Sequence, residues 1–180
     1  MPPPAIEFLY VEREWDLVWE RLNSGVLTQS ARDTLYLIIH EKSFTRERGH
    51  RLMPRKVVDS LCLRCSMGTE TISHKFLHCP HSKESWKYTR ELMERVQPSC
   101  IFESDHSLLN LYFTAFINDN SVLWLLGGYL DFLVQESISK SKAVTRSQLH
   151  VYLQTRWLES QSKSLPFIGI IPGLEPSGIG

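Results

Sequence analysis

The sequence predicts a mostly α fold, a helical bundle interrupted near its middle by a loop that contains several cysteines. Apolar residues recur at spacings of three and four in several segments, whereas the alternation of a β-strand is nowhere sustained. Helix-capping residues and turn signals separate those segments. With 180 residues and 42% hydrophobic content, the chain can bury one ordinary core, in which about six helices are expected.

The first two predicted helices are amphipathic. Residues 6–23 place acidic side chains on one face and apolar side chains on the other, and the apolar set is Trp15, Val18, Trp19 and Leu22. Thr28 or Ser30 can begin the second helix, because a side-chain oxygen there can accept an otherwise unpaired backbone N–H. The apolar positions that follow are Leu35, Ile38 and Ile39. Each helix is expected to bury one face.

Capping residues and turns also locate the remaining helices. Thr45 can cap a short basic turn over residues 46–53, which Pro54 ends because proline cannot continue a helix. Four more helices are predicted over residues 81–96, 107–117, 121–139 and 145–160. Gly127 and Gly128 lower the helix propensity of the third of these by about 1 kcal/mol each. Their missing side chains favour close packing or a kink.

Composition divides the chain into three parts. Residues 1–97 hold two helices and the cysteine loop, residues 98–162 form a further helical region, and the Pro/Gly-rich residues 163–180 are expected to be a flexible tail. The start lacks the features of a secretory signal, which predicts a cytoplasmic or nuclear protein. The longest apolar run, residues 122–130, is much shorter than the roughly 20 residues that cross a bilayer, so no membrane partner is expected.

Four candidate metal ligands occur within eighteen residues: Cys62, Cys65, His74 and Cys79. Zn²⁺ prefers thiolate sulfur and imidazole nitrogen, and this set fills a tetrahedral site without leaving a position for water. The pattern therefore predicts a helical bundle with an embedded CCHC zinc knuckle, in which Zn²⁺ is structural. Two alternatives stay open: a redox pair of Cys62 and Cys65 beside unrelated residues, and His78 instead of Cys79 as the fourth ligand.

Basic charge is concentrated around this loop, although the whole chain has a formal net charge of zero. Residues 42–90 contain eleven Lys or Arg against four Asp or Glu. Such a segment can contact the phosphates of RNA or DNA, or it can simply solvate a helix face and a loop. The candidate nucleic-acid-binding residues are Lys42, Arg46, Arg48, Arg51, Arg55, Lys56, Arg64 and Lys75.

A family resemblance is carried by residues spread over positions 15–86. In order they are Trp15-x3-Trp19, Leu35 and Ile39-His40, Cys62-Leu-Arg-Cys65, Glu70-Thr71-x2-His74-x-Phe76-x2-Cys79, and Trp86. This segment resembles the zinc-binding domain downstream of the polymerase domain in reverse transcriptases of LINE-type (non-LTR) retrotransposons. The resemblance implies a CCHC module that helps hold template RNA or target DNA beside a polymerase, with packing roles for Phe76 and Trp86. It also implies a reverse transcriptase domain or a retroelement ribonucleoprotein as partner.

Binding rather than catalysis is the predicted function. The sequence contains no Gly-x-Ser-x-Gly, phosphate-binding Gly-rich loop or His-Glu-x-x-His motif, so no enzyme activity is expected. These residues include neither a polymerase nor an endonuclease domain, so the chain is expected to be a terminal fragment or a free-standing descendant. The rival hypothesis is a zinc-stabilised protein-interaction module without a nucleic-acid role, in which residues 107–160 bind a polymerase domain or a host protein.

Overall fold

The computed structural model describes residues 12–98, 105–111, 119–139, 145–163 and 170–175. Within these ranges the protein is mostly helical, as predicted, and the only strand-like pairing is one antiparallel bridge between Leu61 and Thr69. The α-helices are α1 (Glu12–Leu22), α2 (Gln29–Ile39), α3 (Arg46–Leu52), α4 (Lys83–Val96), α5 (Asp105–Leu109), α6 (Asp119–Ser139) and α7 (Arg146–Ser162). A π-helical turn spans His74–His78.

Threonine side chains begin three of these helices. The hydroxyl of Thr28 accepts the backbone N–H of Ala31 at 3.0 Å, so Thr28 rather than Ser30 caps α2. Thr45 caps α3 in the same way, as predicted. Thr145 caps α7 in a reciprocal capping box with Gln148, which satisfies two backbone N–H groups at once.

Several helix boundaries differ from the predicted ones. Helix α6 begins at Asp119 rather than at residue 121, and α7 ends at Ser162 rather than at residue 160. Helix α4 begins at Lys83 rather than at residue 81, because the chain is still turning there and the backbone N–H of Ser82 donates to the carbonyl of Cys79 at 2.9 Å. The helix predicted over 107–117 is observed as the five-residue α5, and residues 112–118 lie outside the described ranges. The short basic turn after Thr45 is the α-helix α3, which brings the α-helices in the described residues to seven, one more than expected.

Helix α6 forms the centre of the core. Every residue from 121 to 133 is buried, and the helix packs against α2, α4 and α7. The adjacent glycines allow this close approach without interrupting the helix. A Cβ atom at Gly127 would lie 2.8 Å from the Leu27 side chain, and one at Gly128 would lie 2.6 Å from the Leu153 side chain. The glycines therefore permit close packing on two sides rather than a kink.

A buried carboxylate joins α2, α6 and α7. Asp131 is 4% exposed, and its Oδ2 atom accepts the Thr28 hydroxyl at 2.7 Å and an N–H of Arg156 at 3.2 Å. A buried charge is tolerated where such partners replace the lost water. Asp131 thus fixes the start of α2 and the middle of α7 against the central helix.

The last described residues also contribute to the core. Ile171 and Leu174 are completely buried, which differs from the flexible tail expected for residues 163–180; residues 164–169 and 176–180 lie outside the described ranges. The proposed boundaries between residues 1–97, 98–162 and 163–180 stay predictions. None of the helices in the described residues is long and apolar enough to cross a bilayer.

Candidate metal centre

The four predicted ligands lie together between α3 and α4. The metal-binding atoms of Cys62, Cys65, His74 and Cys79 are all within 4.8 Å of one another. Sγ of Cys62 and Sγ of Cys79 are 3.9 Å apart, and Sγ of Cys65 is 3.3 Å from Nε2 of His74. A tetrahedral site with Zn–S bonds of about 2.3 Å requires sulfur atoms about 3.8 Å apart. The cluster therefore has the size and the donor set of a zinc site.

A tight backbone turn presents the first two cysteines. The N–H of Ser66 donates to the carbonyl of Cys62 at 2.8 Å, and Ser66 has a left-handed φ of 54° that reverses the chain. The N–H of Met67 donates to Sγ of Cys65 at 3.4 Å. The N–H of Cys62 donates to the carbonyl of Gly68 at 2.9 Å and closes the base of the turn. Backbone donors thus stabilise negative charge on sulfur.

The other two ligands are separated by one turn of π-helix. The N–H of Cys79 donates to the carbonyl of His74 at 2.7 Å, a bond across five residues instead of the four of an α-helix. An α-helical turn would bring positions 74 and 78 onto one face, whereas the wider turn brings His74 and Cys79 together. The sequence spacing did not predict this π-turn, because π-helices are rare and have no simple composition signal.

The thiols differ in acidity. Burial raises the pKa of Cys79 to about 12 and also raises the pKa of Cys62. Burial acts in the same direction on Cys65, but hydrogen bonds led by the N–H of Met67 outweigh it and lower its pKa. Metal binding to such a site must release protons, because the ligand form of cysteine is the thiolate.

His78 lies away from the cluster. Its side chain is exposed and borders an open cavity of about 450 Å³ with Lys83 and Lys87, whereas Cys79 is completely buried beside the other ligands. The three described cysteines are free thiols, and no disulfide joins Cys62 to Cys65. The arrangement favours the set with Cys79 over both alternatives.

Residues around the cluster connect it to the helices. Glu70 is 8% exposed, and its Oε1 atom accepts the N–H of Arg46 at 3.1 Å, so the metal loop caps the first residue of α3. The hydroxyl of Tyr129 on α6 donates to the carbonyl of Phe76 inside the π-turn. Phe76 and Trp86 are both buried, and the Trp86 ring packs against Tyr129 with centroids 5.2 Å apart. These hydrogen bonds and the ring contact connect the cluster to α3, α4 and α6.

The eight basic residues predicted to bind nucleic acid fall into two groups in the structure. The side chains of three of them bind other groups of the protein. Arg46 pairs with Asp59 at 2.9 Å, Arg64 donates to the carbonyl of Leu133 at 3.4 Å, and Nζ of Lys75 donates to the carbonyl of Phe44 at 2.8 Å. Burial lowers the pKa of Lys75, and the charge of Glu70 opposes that shift.

The remaining basic residues lie nearer to solvent. Arg48 is half-buried and donates to the carbonyl of Lys42 at 3.1 Å. Lys42 is exposed, and so is every residue from 51 to 56, a stretch that includes Arg51, Arg55 and Lys56. We call residues 51–56 the basic segment.

Exposed apolar side chains occur within the basic segment and on both sides of it along the chain, a feature that sequence reasoning did not find. Seven of the twelve large hydrophobic residues exposed in the described ranges fall between positions 44 and 67. They are Phe44, Leu52, Met53, Val58, Leu61, Leu63 and Met67. Helical periodicity identifies apolar faces, but these residues lie mostly in turns and loops, where no period marks them.

Comparison with known proteins agrees with the geometry of the cluster. Residues 10–86 match the model of a protein family described as zinc-binding in reverse transcriptase. No curated protein and no solved structure matches the chain. Residues 10–86 are thus similar to the zinc-binding segment of reverse transcriptases, and they contain a cluster of three cysteines and one histidine that can hold zinc.

Proposed function

We propose that this chain is a zinc-stabilised accessory module, without catalysis of its own, that binds RNA or DNA beside a reverse transcriptase of the LINE type. Its partners in this role are single-stranded or structured nucleic acid and the reverse transcriptase domain or ribonucleoprotein of a retroelement. The role places the protein in the cytoplasm or the nucleus. The match of residues 10–86 to a reverse transcriptase zinc-binding family supports this context.

The observation that carries the proposal is the basic segment. Six consecutive residues, 51–56, are exposed, and three of them are cations. A run of exposed cations without intervening carboxylates can neutralise neighbouring phosphates and release their counterions. Asp59, the next acidic residue along the chain, is already paired with Arg46. The basic segment therefore keeps its positive charge available to a polyanion.

The metal cluster positions this segment. The segment begins in the last two residues of α3, and the first turn of that helix is capped by Thr45 and by the carboxylate of Glu70, which lies between the ligands Cys65 and His74. After the segment, the chain returns to Cys62 through the pair formed by Asp59 and Arg46. Zinc binding would hold both ends of the basic segment in one orientation, so its removal should weaken nucleic-acid binding as well as local order.

Three neutral substitutions test the role of the segment. The variant Arg51→Gln, Arg55→Gln, Lys56→Gln removes three exposed charges, and Lys83→Gln, Lys87→Gln, Lys163→Gln removes three exposed charges elsewhere. Single-stranded RNA binding is measured by fluorescence anisotropy over a range of salt concentrations. Each lost phosphate contact lowers the slope of log K against log salt by about 0.7, so the first variant should lose about 2 units. An unchanged slope, or an equal loss in the control, would overturn the proposal.

One observation favours the rival function of protein docking. Between positions 44 and 67, seven large apolar side chains are exposed, and partner proteins commonly cover such side chains. In contrast, α6 lies in the middle of the core, so much of the described part of residues 107–160 does not offer a free face. The double variant Leu63→Ser, Met67→Ser separates the two functions. Loss of binding to a reverse transcriptase domain with intact RNA binding would favour docking.

A further inference from the structure

A charged cavity of about 360 Å³ lies between α4, α7 and residues 170–175. Its walls include two arginines, a histidine, a serine and a buried tyrosine, and none of the described residues that line it is acidic. These polar lining residues are Arg95, Arg146, His150, Ser147 and Tyr88. All of them follow residue 86 and so lie outside the matched residues 10–86. The cavity is therefore separate from the matched zinc-binding segment.

The rings of Tyr88 and His150 contact each other and form part of the cavity lining. Tyr88 is 4% exposed, and its hydroxyl lies 2.6 Å from Nδ1 of His150. The guanidinium of Arg146 stacks over the Tyr88 ring at 4.5 Å from the centroid and pairs with Glu91 at 3.0 Å. Arg146 is thus held by two independent contacts, which reduces the entropy lost when it binds a ligand.

Arg95 supplies a second guanidinium to the cavity, and it lies next to the backbone of Gly173. Gly173 has a φ of +94°, and a Cβ atom there would lie 2.6 Å from Nη1 of Arg95. The segment that carries Gly173 is anchored by the buried side chains of Ile171 and Leu174. In addition, Nε2 of Gln154 on α7 donates to the carbonyl of Leu174 at 3.4 Å. This glycine leaves room for Arg95 beside the cavity.

The electrostatic balance of the cavity is positive. Burial and the charge of Glu91 raise the pKa of Tyr88, while the charges of Arg146 and Arg95 oppose that shift. Glu91 offsets one of these two positive charges through its pair with Arg146. The charge of Arg95 remains, together with the hydrogen-bonding groups of Ser147 and His150.

We propose that this cavity binds a phosphate group, carried either by a nucleic-acid strand or by a free nucleotide. The planar forks of two arginines match the oxygens of a phosphate, and charge-assisted hydrogen bonds of this type are strong. A volume of about 360 Å³ lies within the range of small-ligand sites. The proposal does not depend on the basic segment, since it uses different residues on a different pair of helices.

Calorimetric titration of the zinc-loaded full chain tests the proposal with three probes. They are adenosine 5′-monophosphate, adenosine, and a single-stranded RNA oligonucleotide. Arg95→Gln and Arg146→Gln should each weaken binding of the phosphate-bearing probe about tenfold. Lys87→Gln, which removes an exposed cation of α4 that lines the other cavity, should leave it unchanged.

The probes distinguish the source of the phosphate. Arginine-dependent binding of the mononucleotide, with no binding of adenosine, supports a free nucleotide. Arginine-dependent binding of the oligonucleotide alone supports a strand backbone. The inference is wrong if adenosine binds as tightly as its monophosphate. It is also wrong if Arg95→Gln and Arg146→Gln keep the wild-type melting temperature and change the affinity for none of the probes. Mononucleotide binding remains a valid readout even if the basic segment binds no RNA.

Discussion

Replacing Tyr129 with phenylalanine should weaken zinc binding from a position on a different helix. Tyr129 is completely buried on α6, and its hydroxyl donates to the carbonyl of Phe76. That carbonyl belongs to the π-turn between the ligands His74 and Cys79. The hydroxyl therefore stabilises the turn in the conformation that brings the two ligands together.

The size of the effect follows from the burial of the hydrogen bond. Leaving a buried carbonyl without its donor costs about 1–3 kcal/mol. This cost applies to the zinc-loaded state, in which the turn is fixed, and it is smaller in the zinc-free state, in which the turn can relax. Because about 1.4 kcal/mol corresponds to a factor of ten, Tyr129→Phe should lower the affinity for zinc about tenfold.

Competition with a calibrated chelator measures the zinc affinity, and urea unfolding with and without zinc completes a thermodynamic cycle. Tyr152→Phe is the control, since Tyr152 is a half-buried tyrosine of α7 whose ring packs against Phe132. Equal destabilisation of the zinc-loaded and zinc-free forms by Tyr129→Phe, with unchanged zinc affinity, would refute coupling between α6 and the metal centre.

Three further predictions follow from the described contacts. Cys65→Ser should abolish the binding of one zinc ion per chain, measured by elemental analysis. It should also speed amide hydrogen exchange in α3 while the amides of α6 stay protected, and a uniform loss of protection would contradict this prediction. Asp131→Asn should lower the free energy of unfolding by about 1–3 kcal/mol, because it removes the buried carboxylate that pairs with the half-buried Arg156. Asp59→Asn should change the melting temperature little, because the Asp59 side chain is 53% exposed. Burial raises the pKa of Tyr129 above its unfolded value of about 10. Its contribution to stability is complete below pH 10 and is lost as pH rises further, so urea unfolding at pH 9 to 11 should show a falling stability that is shallower in Tyr129→Phe.

Local signals made much of the fold predictable. Thr28 and Thr45 identified helix starts because a side-chain oxygen at such a position has a specific backbone partner. The spacing of Cys62, Cys65, His74 and Cys79 identified the cluster because zinc restricts both donor type and distance. In each case a short stretch of sequence contains all the interacting groups.

Features that depend on distant residues could not be predicted. The ion pair of Arg46, the contact of Arg64 with α6 and the burial of Lys75 depend on how the metal loop packs, so sequence alone placed all three among the nucleic-acid contacts. The burial of Ile171 and Leu174 likewise requires a groove formed by other elements. A composition rich in Pro and Gly indicates irregular structure, but it does not indicate whether that structure is packed.

The central position of α6 determines the smallest piece of this chain that can fold. The family match ends at residue 86, inside α4. The π-turn between the ligands His74 and Cys79, however, accepts a hydrogen bond from Tyr129, which lies more than forty positions after residue 86. A polypeptide cut at residue 86 would lose ten of the fourteen residues of α4 and would expose the apolar face of α2 to water. Excising the zinc-binding part for study would therefore require the later helices to be carried along with it.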